Sequence, residues 1–270
     1  MGMRAGSLGV GGLLVMLLLS WLTGVDFLSL VGGDGSVTTA PTARVGTTGA
    51  PDASPEEAHL RDMVDNVTED AQNTWRQLLG GRYEETRVAL FRDAIDSACG
   101  FAQSATGPFY CPADRLVYLD LGFFDELQRR FRAPGDFAQA YIVAHELGHH
   151  VQTITGIEAQ VRQRQSANPS QRNALSVRME LQADCFAGVW GYHANQPGRA
   201  AAGGVELDPD DIDEALNAAA AIGDDRLQRQ ASGRVSPESF THGSSQQRVE
   251  WFRRGFDSGN PESCDAFQAR

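Results

Sequence analysis

Residues 140–156 read AYIVAHELGHHVQTITG, and no other stretch limits the fold as much. Three histidines and a glutamate sit in an otherwise apolar run, and polar groups that enter a core must find partners there. Whatever the rest of the chain builds has to bring those partners to this segment. His145 and His149 stand four residues apart, so on a helix both imidazoles leave one face, a turn apart. That spacing lets both reach one ion at the ~2.0–2.1 Å of a zinc–nitrogen bond. Glu146 lies one residue round from His145, beside such an ion and not on it, where a general base for a metal-activated water belongs. H-E-x-x-H is for that reason a zinc-hydrolase signature. His150 fits no ligand spacing with His145 and reads as a hydrogen-bonding neighbour.

A catalytic zinc site usually has three protein ligands and a water, and no further histidine follows His149 in HVQTITGIEAQ. The next candidates lie in RMELQADCFAG, where Glu180 and Asp184 share a helix face. An E-x-x-x-D pair alone is an ordinary solvated face. Here it sits among Leu181, Ala183, Phe186, Ala187 and Val189, so the carboxylates must be partly buried and need partners. Glu180 is the candidate third ligand, and Asp184 the candidate acceptor for the free N–H of a ligand imidazole. We expect one zinc ion per chain.

Residues 5–25 carry no charge between Arg4 and Asp26, and about 20 apolar residues suffice for a membrane-spanning helix. We therefore expect residues 1–31 to be an N-terminal transmembrane anchor with its amino end cytoplasmic. The chain would be a single-pass cell-membrane protein with its domain outside the cytoplasm, in contact with the membrane through that helix. Cleavage after the loose VTTA ending at Ala40 would make it a secreted protein instead. Residues 32–55, rich in Gly, Thr and Pro, read as a flexible linker, leaving 56–270 as the domain. Its four cysteines, Cys99, Cys111, Cys185 and Cys264, form no C-x-x-C pair, and an even count outside the cytoplasm favours disulfides. Of the three pairings we expect Cys99–Cys111 and Cys185–Cys264. The net charge of −12 excludes a nucleic-acid binder, which needs a basic face.

Within the domain, Ser54-Pro55-Glu56-Glu57 opens a helix as N-cap, first-turn proline and capping box, and apolar residues from Leu60 to Leu78 carry it to Gly80-Gly81. RVALF at 87–91 is ambiguous, and Gly107 to Asp120 alternates as a β-hairpin around a Pro-Ala-Asp turn. Helices follow at 123–131, from Asp136 as cap to Gly156, at 170–192, from Asp208 through ALNAAAAIGDDRL, and after Ser244, which forms a capping box with Gln247. The acids of residues 206–214 serve the helix dipole rather than calcium. The expected class is α+β, mainly helical, with a small β-hairpin or sheet.

The chain resembles the putative neutral zinc metallopeptidase family of bacteria in GPFYCPAD, GDFAQAYIVAHELGHHVQ, ELQADCFAGVW, DIDEALNAAAAIGDDRLQ and FTHGSSQQRVEWFRRGF. The resemblance spans about Asn73 to Phe267. It implies a zincin-like metallopeptidase domain with a gluzincin-like ligand set of His145, His149 and Glu180, and a catalytic Glu146. The activity it implies is hydrolysis of a peptide or protein substrate. For stabilising the oxyanion, His242 ahead of the last helix is the first candidate, followed by Tyr192 and His193. The strand edge at 107–120 would suit an extended peptide. The alternatives are a non-catalytic zinc-binding envelope protein and a zinc amidase acting on cell-wall peptides.

Overall fold

The structure, a computed structural model, describes residues 54–103, 107–129, 135–199, 201 and 203–268. The anchor expected at 1–31 and the linker, apart from Ser54 and Pro55, lie outside the described residues. Helix α1 (Pro55–Leu79) starts where the sequence signals it, with the Ser54 hydroxyl accepting from the Glu57 amide at 3.1 Å. Glu57 does not close the expected capping box. Its carboxylate instead accepts from Arg61 at 2.7 Å and from Arg92 at 2.9 Å, tying the helix to the segment beyond the first strand. Val64, Val67, Ala71 and Trp75 recur every three or four residues and are at most 3% exposed, which gives the helix one apolar stripe to bury.

The ambiguous RVALF is strand β1 (Arg87–Phe91). A tight hairpin follows, β2 (Ala94–Ser97) with β3 (Gly100–Gln103), which periodicity did not signal. The expected hairpin is β4 (Phe109–Cys111) against β5 (Leu116–Asp120), and β1 joins it in parallel, in the order β1-β5-β4. Central β5 alternates in the manner of a pleated strand. Val117 and Leu119 face the main core, while Tyr118 joins Phe91 and Cys111 in a smaller cluster on the other side. The Asp114 carboxylate accepts from the Tyr118 hydroxyl at 2.7 Å, the Leu116 amide at 3.2 Å and the Ala98 amide at 3.0 Å, joining the turn to the β2–β3 hairpin. The Cys99–Cys111 disulfide makes the same join covalently.

After α2 (Leu121–Arg129), helix α3 (Asp136–Ile154) runs through the core, with every residue from Phe137 to Gly148 buried. Gly135, not Asp136, is its N-cap, and Asp136 pairs with His59 at 3.1 Å. Gly156 turns the chain in the left-handed region at φ +78° into α4 (Ile157–Ala167), which leads to α5 (Arg172–Ala194). Helix α6 (Pro209–Ala221) has the capping box of Asp208 and Asp211 but stops short of the expected end, and α7 (Asp224–Ser232) begins afresh. At the break the chain packs tightly: a Cβ at Gly223 would collide with the Ser245 backbone, at the start of α8 (Ser245–Ser258).

Helices α5 and α8 meet across glycines. A Cβ on Gly255 would fall inside contact distance of the Cys185 carbonyl, and one on Gly188 inside that of Phe252. Gly255→Ala should therefore destabilise the fold by about 1–3 kcal/mol or more, as overpacking does. An unchanged midpoint in denaturant unfolding would show that the two helices separate freely. The second disulfide, Cys185–Cys264, lies in an apolar cluster with Trp75, Val151, Phe186 and Val189.

The expectation of a single-pass membrane protein is corrected. Among the described residues no helix is long and apolar enough to cross a bilayer, and the segment on which the expectation rested lies outside them. The longest helix, α1, has one apolar stripe among charged residues, and the most buried, α3, carries histidines and Glu146 through its centre. The two disulfides, Cys99–Cys111 and Cys185–Cys264, fit an oxidising compartment.

Candidate metal centre

The site forms beside a close approach of α3 and α5. A Cβ on Gly148 would stand 3.0 Å from the Ala183 carbonyl oxygen and 3.1 Å from its Cα, so the missing side chain lets the two helices approach. The approach sets the two histidines of α3 opposite Glu180 of α5. His145 Nε2 lies 3.3 Å from Glu180 Oε2, and His149 Nε2 lies 3.5 Å from Oε1. Single ligand atoms from the three residues all fall within 4.8 Å of one another.

Each imidazole has its other nitrogen engaged. His145 Nδ1 lies 2.8 Å from Asp184 Oδ1, and a carboxylate can only accept, so Nδ1 carries the proton and Nε2 turns its lone pair to the site. His149 Nδ1 lies 2.8 Å from Gln152 Oε1. Two imidazole nitrogens with their tautomers set, and a facing carboxylate, are the donor set that zinc takes. The local field agrees. Burial disfavours a charged His145, yet Asp184 and Glu180 outweigh it and push its pKa up to about 9; the pocket favours positive charge.

Asp184 is fully buried and therefore needs more than one partner. It receives Arg248 Nε at 2.9 Å on Oδ2, and Arg248 Nη2 at 2.8 Å and the Tyr141 hydroxyl at 2.5 Å on Oδ1. Arg248 Nη2 also donates to the Tyr141 oxygen at 3.2 Å. Arg248 comes from α8 and is 2% exposed. Its guanidinium balances the carboxylate that orients His145, in the forked geometry only arginine offers.

The two glutamates of the site diverge. Burial pushes the Glu146 carboxyl up, partly offset by His149 and His145. Burial would raise Glu180 too, but His149 and His145 hold it well below the usual carboxylate range. The same burial thus leaves the two carboxyls with pKa values shifted in opposite directions.

His242 lies close enough for its charge and that of Glu180 to act on each other. Its Nδ1 is 3.2 Å from Asp224 Oδ1, while Asp224 Oδ2 accepts from the amides of Thr241, His242 and Gly243 at 2.7, 2.7 and 3.1 Å. That hydrogen bond, working against burial, raises the His242 pKa. Tyr192 and His193 are not brought to the site. They lie twelve and thirteen residues beyond Glu180 on α5, about 18 Å along the axis, and His193 Nε2 contacts the Gly259 carbonyl at 3.1 Å. His150 faces away from the candidate metal ligands, between the Tyr110 hydroxyl at 3.1 Å and the Glu84 carbonyl at 2.6 Å. Beside His149 and Glu180 a cleft of about 200 Å³ runs along Glu158, Arg162, Gln165 and Met179.

Reading the sequence missed Tyr141, Gln152, Asp224 and Arg248. All four stand inside motifs that carry the resemblance, and their residue types alone marked no role.

A model of the family described as "Putative neutral zinc metallopeptidase" matches residues 2–267. Among curated proteins, "Uncharacterized protein YpfJ" of Escherichia coli K12 is 47% identical over 265 residues, covering 96% of this chain and 87% of that protein. "Uncharacterized protein Rv2575" of Mycobacterium tuberculosis H37Rv is 46% identical over 200 residues, covering 72% of this chain and 66% of that protein. No solved structure matches.

Proposed function

The chain belongs to the putative neutral zinc metallopeptidase family, and from that premise we propose that it hydrolyses peptide bonds with one zinc ion held by His145, His149 and Glu180. The observation that carries this reading is the convergence of both Nε2 atoms on the Glu180 carboxylate, with Glu146 on the next position of the same helix. A structural zinc site has no use for a buried carboxyl of raised pKa beside its ligands, and this favours an enzyme over a non-catalytic zinc binder.

Bound zinc would supply Lewis acidity at the scissile carbonyl and acidify the attacking water. Glu146 takes the proton from that water and returns it to the leaving amine nitrogen. Asp184 and Gln152 hold the ligand imidazoles in the tautomer that keeps Nε2 free. His242, held by Asp224 and carrying a raised pKa, donates a hydrogen bond to the oxyanion. Strand β4 is an edge of its sheet among the described residues, and an extended substrate laid along such an edge would gain main-chain hydrogen bonds.

The test combines metal analysis with an unbiased peptide library, presented to the purified chain with and without a chelator. About one zinc per chain is expected, with cleavage abolished by the chelator and restored by added zinc; His149→Ala should lose most of the metal, as loss of one of three protein ligands implies. Full zinc in His149→Ala would refute the ligand set. A zinc-loaded chain that cleaves nothing in the library would favour the non-catalytic reading.

A further inference from the structure

We propose that Gln152 and Gln182 form a positioning relay, which holds His149 in its metal-binding orientation and anchors it to the Cys185–Cys264 disulfide. The inference rests on His149 being a metal ligand, as proposed above.

His145 and His149 are oriented by different chemistry. The first has a carboxylate, which accepts through either oxygen. The second has a neutral amide, whose oxygen and nitrogen ends have nearly the same shape and opposite hydrogen-bonding roles. An amide can orient an imidazole only if something else settles which end faces it. Here two backbone carbonyls do so. Gln152 Nε2 lies 2.7 Å from the Met179 carbonyl oxygen, and Gln182 Nε2 lies 3.0 Å from that of Cys264. Carbonyl oxygens only accept, so both glutamine nitrogens must point to them. The Gln182 oxygen then receives Gln152 Nε2 at 3.1 Å, and the Gln152 oxygen is left for His149 Nδ1 at 2.8 Å. Nδ1 must therefore carry the proton, and Nε2 is free for the ion. Each link follows from the one before.

Gln152 is 0% and Gln182 3% exposed, so water is not at hand to replace a broken link. The far end is secured covalently. Cys264 closes the C-terminal turn Pro261–Cys264, and its disulfide returns to Cys185, three residues after Gln182 on α5. The bond that fastens the C-terminal turn thus also fixes the carbonyl on which the relay ends. The Cys99–Cys111 disulfide joins only the hairpin to the sheet, and provides an internal control.

The test is zinc affinity by competition with a chromophoric chelator, on the full chain, at a temperature where circular dichroism shows each zinc-free variant folded. Gln152→Leu should weaken binding about 10–100-fold, as loss of an outer partner of a ligand imidazole does. Gln182→Leu and the pair Cys185→Ala/Cys264→Ala touch no ligand; each should still weaken it at least about threefold, less than the direct loss because Gln152 keeps Met179. Cys99→Ala/Cys111→Ala should keep wild-type affinity. The visible spectrum of the cobalt-loaded chain, which reports the ligand field, should shift in the glutamine variants and not in that control. A purely structural role would lower stability while leaving affinity and spectrum alone. Wild-type affinity and spectrum in both Gln182→Leu and the Cys185/Cys264 pair would overturn the relay, and Gln182→Leu decides alone if the cysteine pair fails to fold. A wild-type chain that holds no zinc would remove the metal centre itself, and the relay with it, before any variant is compared.

Discussion

Glu146→Gln is expected to keep its zinc and lose at least about a hundredfold in peptide turnover, the scale of a positioned general base. The substitution preserves size and leaves His145, His149 and Glu180 in place. What it removes is the carboxyl of the site whose pKa burial raises on balance; in Glu180 the two histidines outweigh burial and hold the carboxyl low. His242→Ala should cost less, mostly in kcat, as expected of the donor proposed for the developing oxyanion. Steady-state kinetics and metal content, measured on the same preparations, separate these losses from loss of zinc. If a cleavage activity survives Glu146→Gln unchanged, another site or another protein performs it.

The largest loss of stability is expected from Arg248→Met. Asp184 is wholly buried, and its carboxylate depends on Arg248 for two hydrogen bonds and for charge balance. Removing one partner of a buried ion pair strands the other charge, which costs about 3–5 kcal/mol. Denaturant unfolding should show this as a lower midpoint with an unchanged slope. Adding Asp184→Leu to Arg248→Met should recover part of the loss, since the penalty belongs to the stranded carboxylate. An Arg248→Met chain as stable as wild type would mean that Tyr141 and His145 satisfy Asp184 without it.

Much of the centre is legible in the sequence because helical spacing is a local property. Residues four apart share a face whatever surrounds them, so His145 pairs with His149, and Glu180 with Asp184, on spacing alone. The helix starts at Ser54, Asp208 and Ser244 are legible for the same reason, each cap bonding within three or four residues. The β4–β5 hairpin shows in alternation around a turn. Where a distant neighbour enters, a local rule is not enough: the helix expected to run on from α6 breaks at Gly223, which packs against Ser245, and Glu57 turns from its own helix end to Arg92.

By itself, then, the sequence determined which side chains could bind one ion, which carboxyl could serve as base, and which elements would carry them. Only the tertiary structure decided what holds those groups in place. Arg248 meets Asp184 from 64 positions away, and Gln182 meets Cys264 from 82. Across such separations no periodicity survives, and an arginine or a glutamine looks the same whether it is buried or solvated. The pairing of β1 with β5 was hidden for the same reason, since parallel strands need a long connection and leave no turn between them to read. Short-range geometry is written in spacing. Burial and partnership come from the packing of helices α3, α5 and α8, whose glycines allow their backbones to meet.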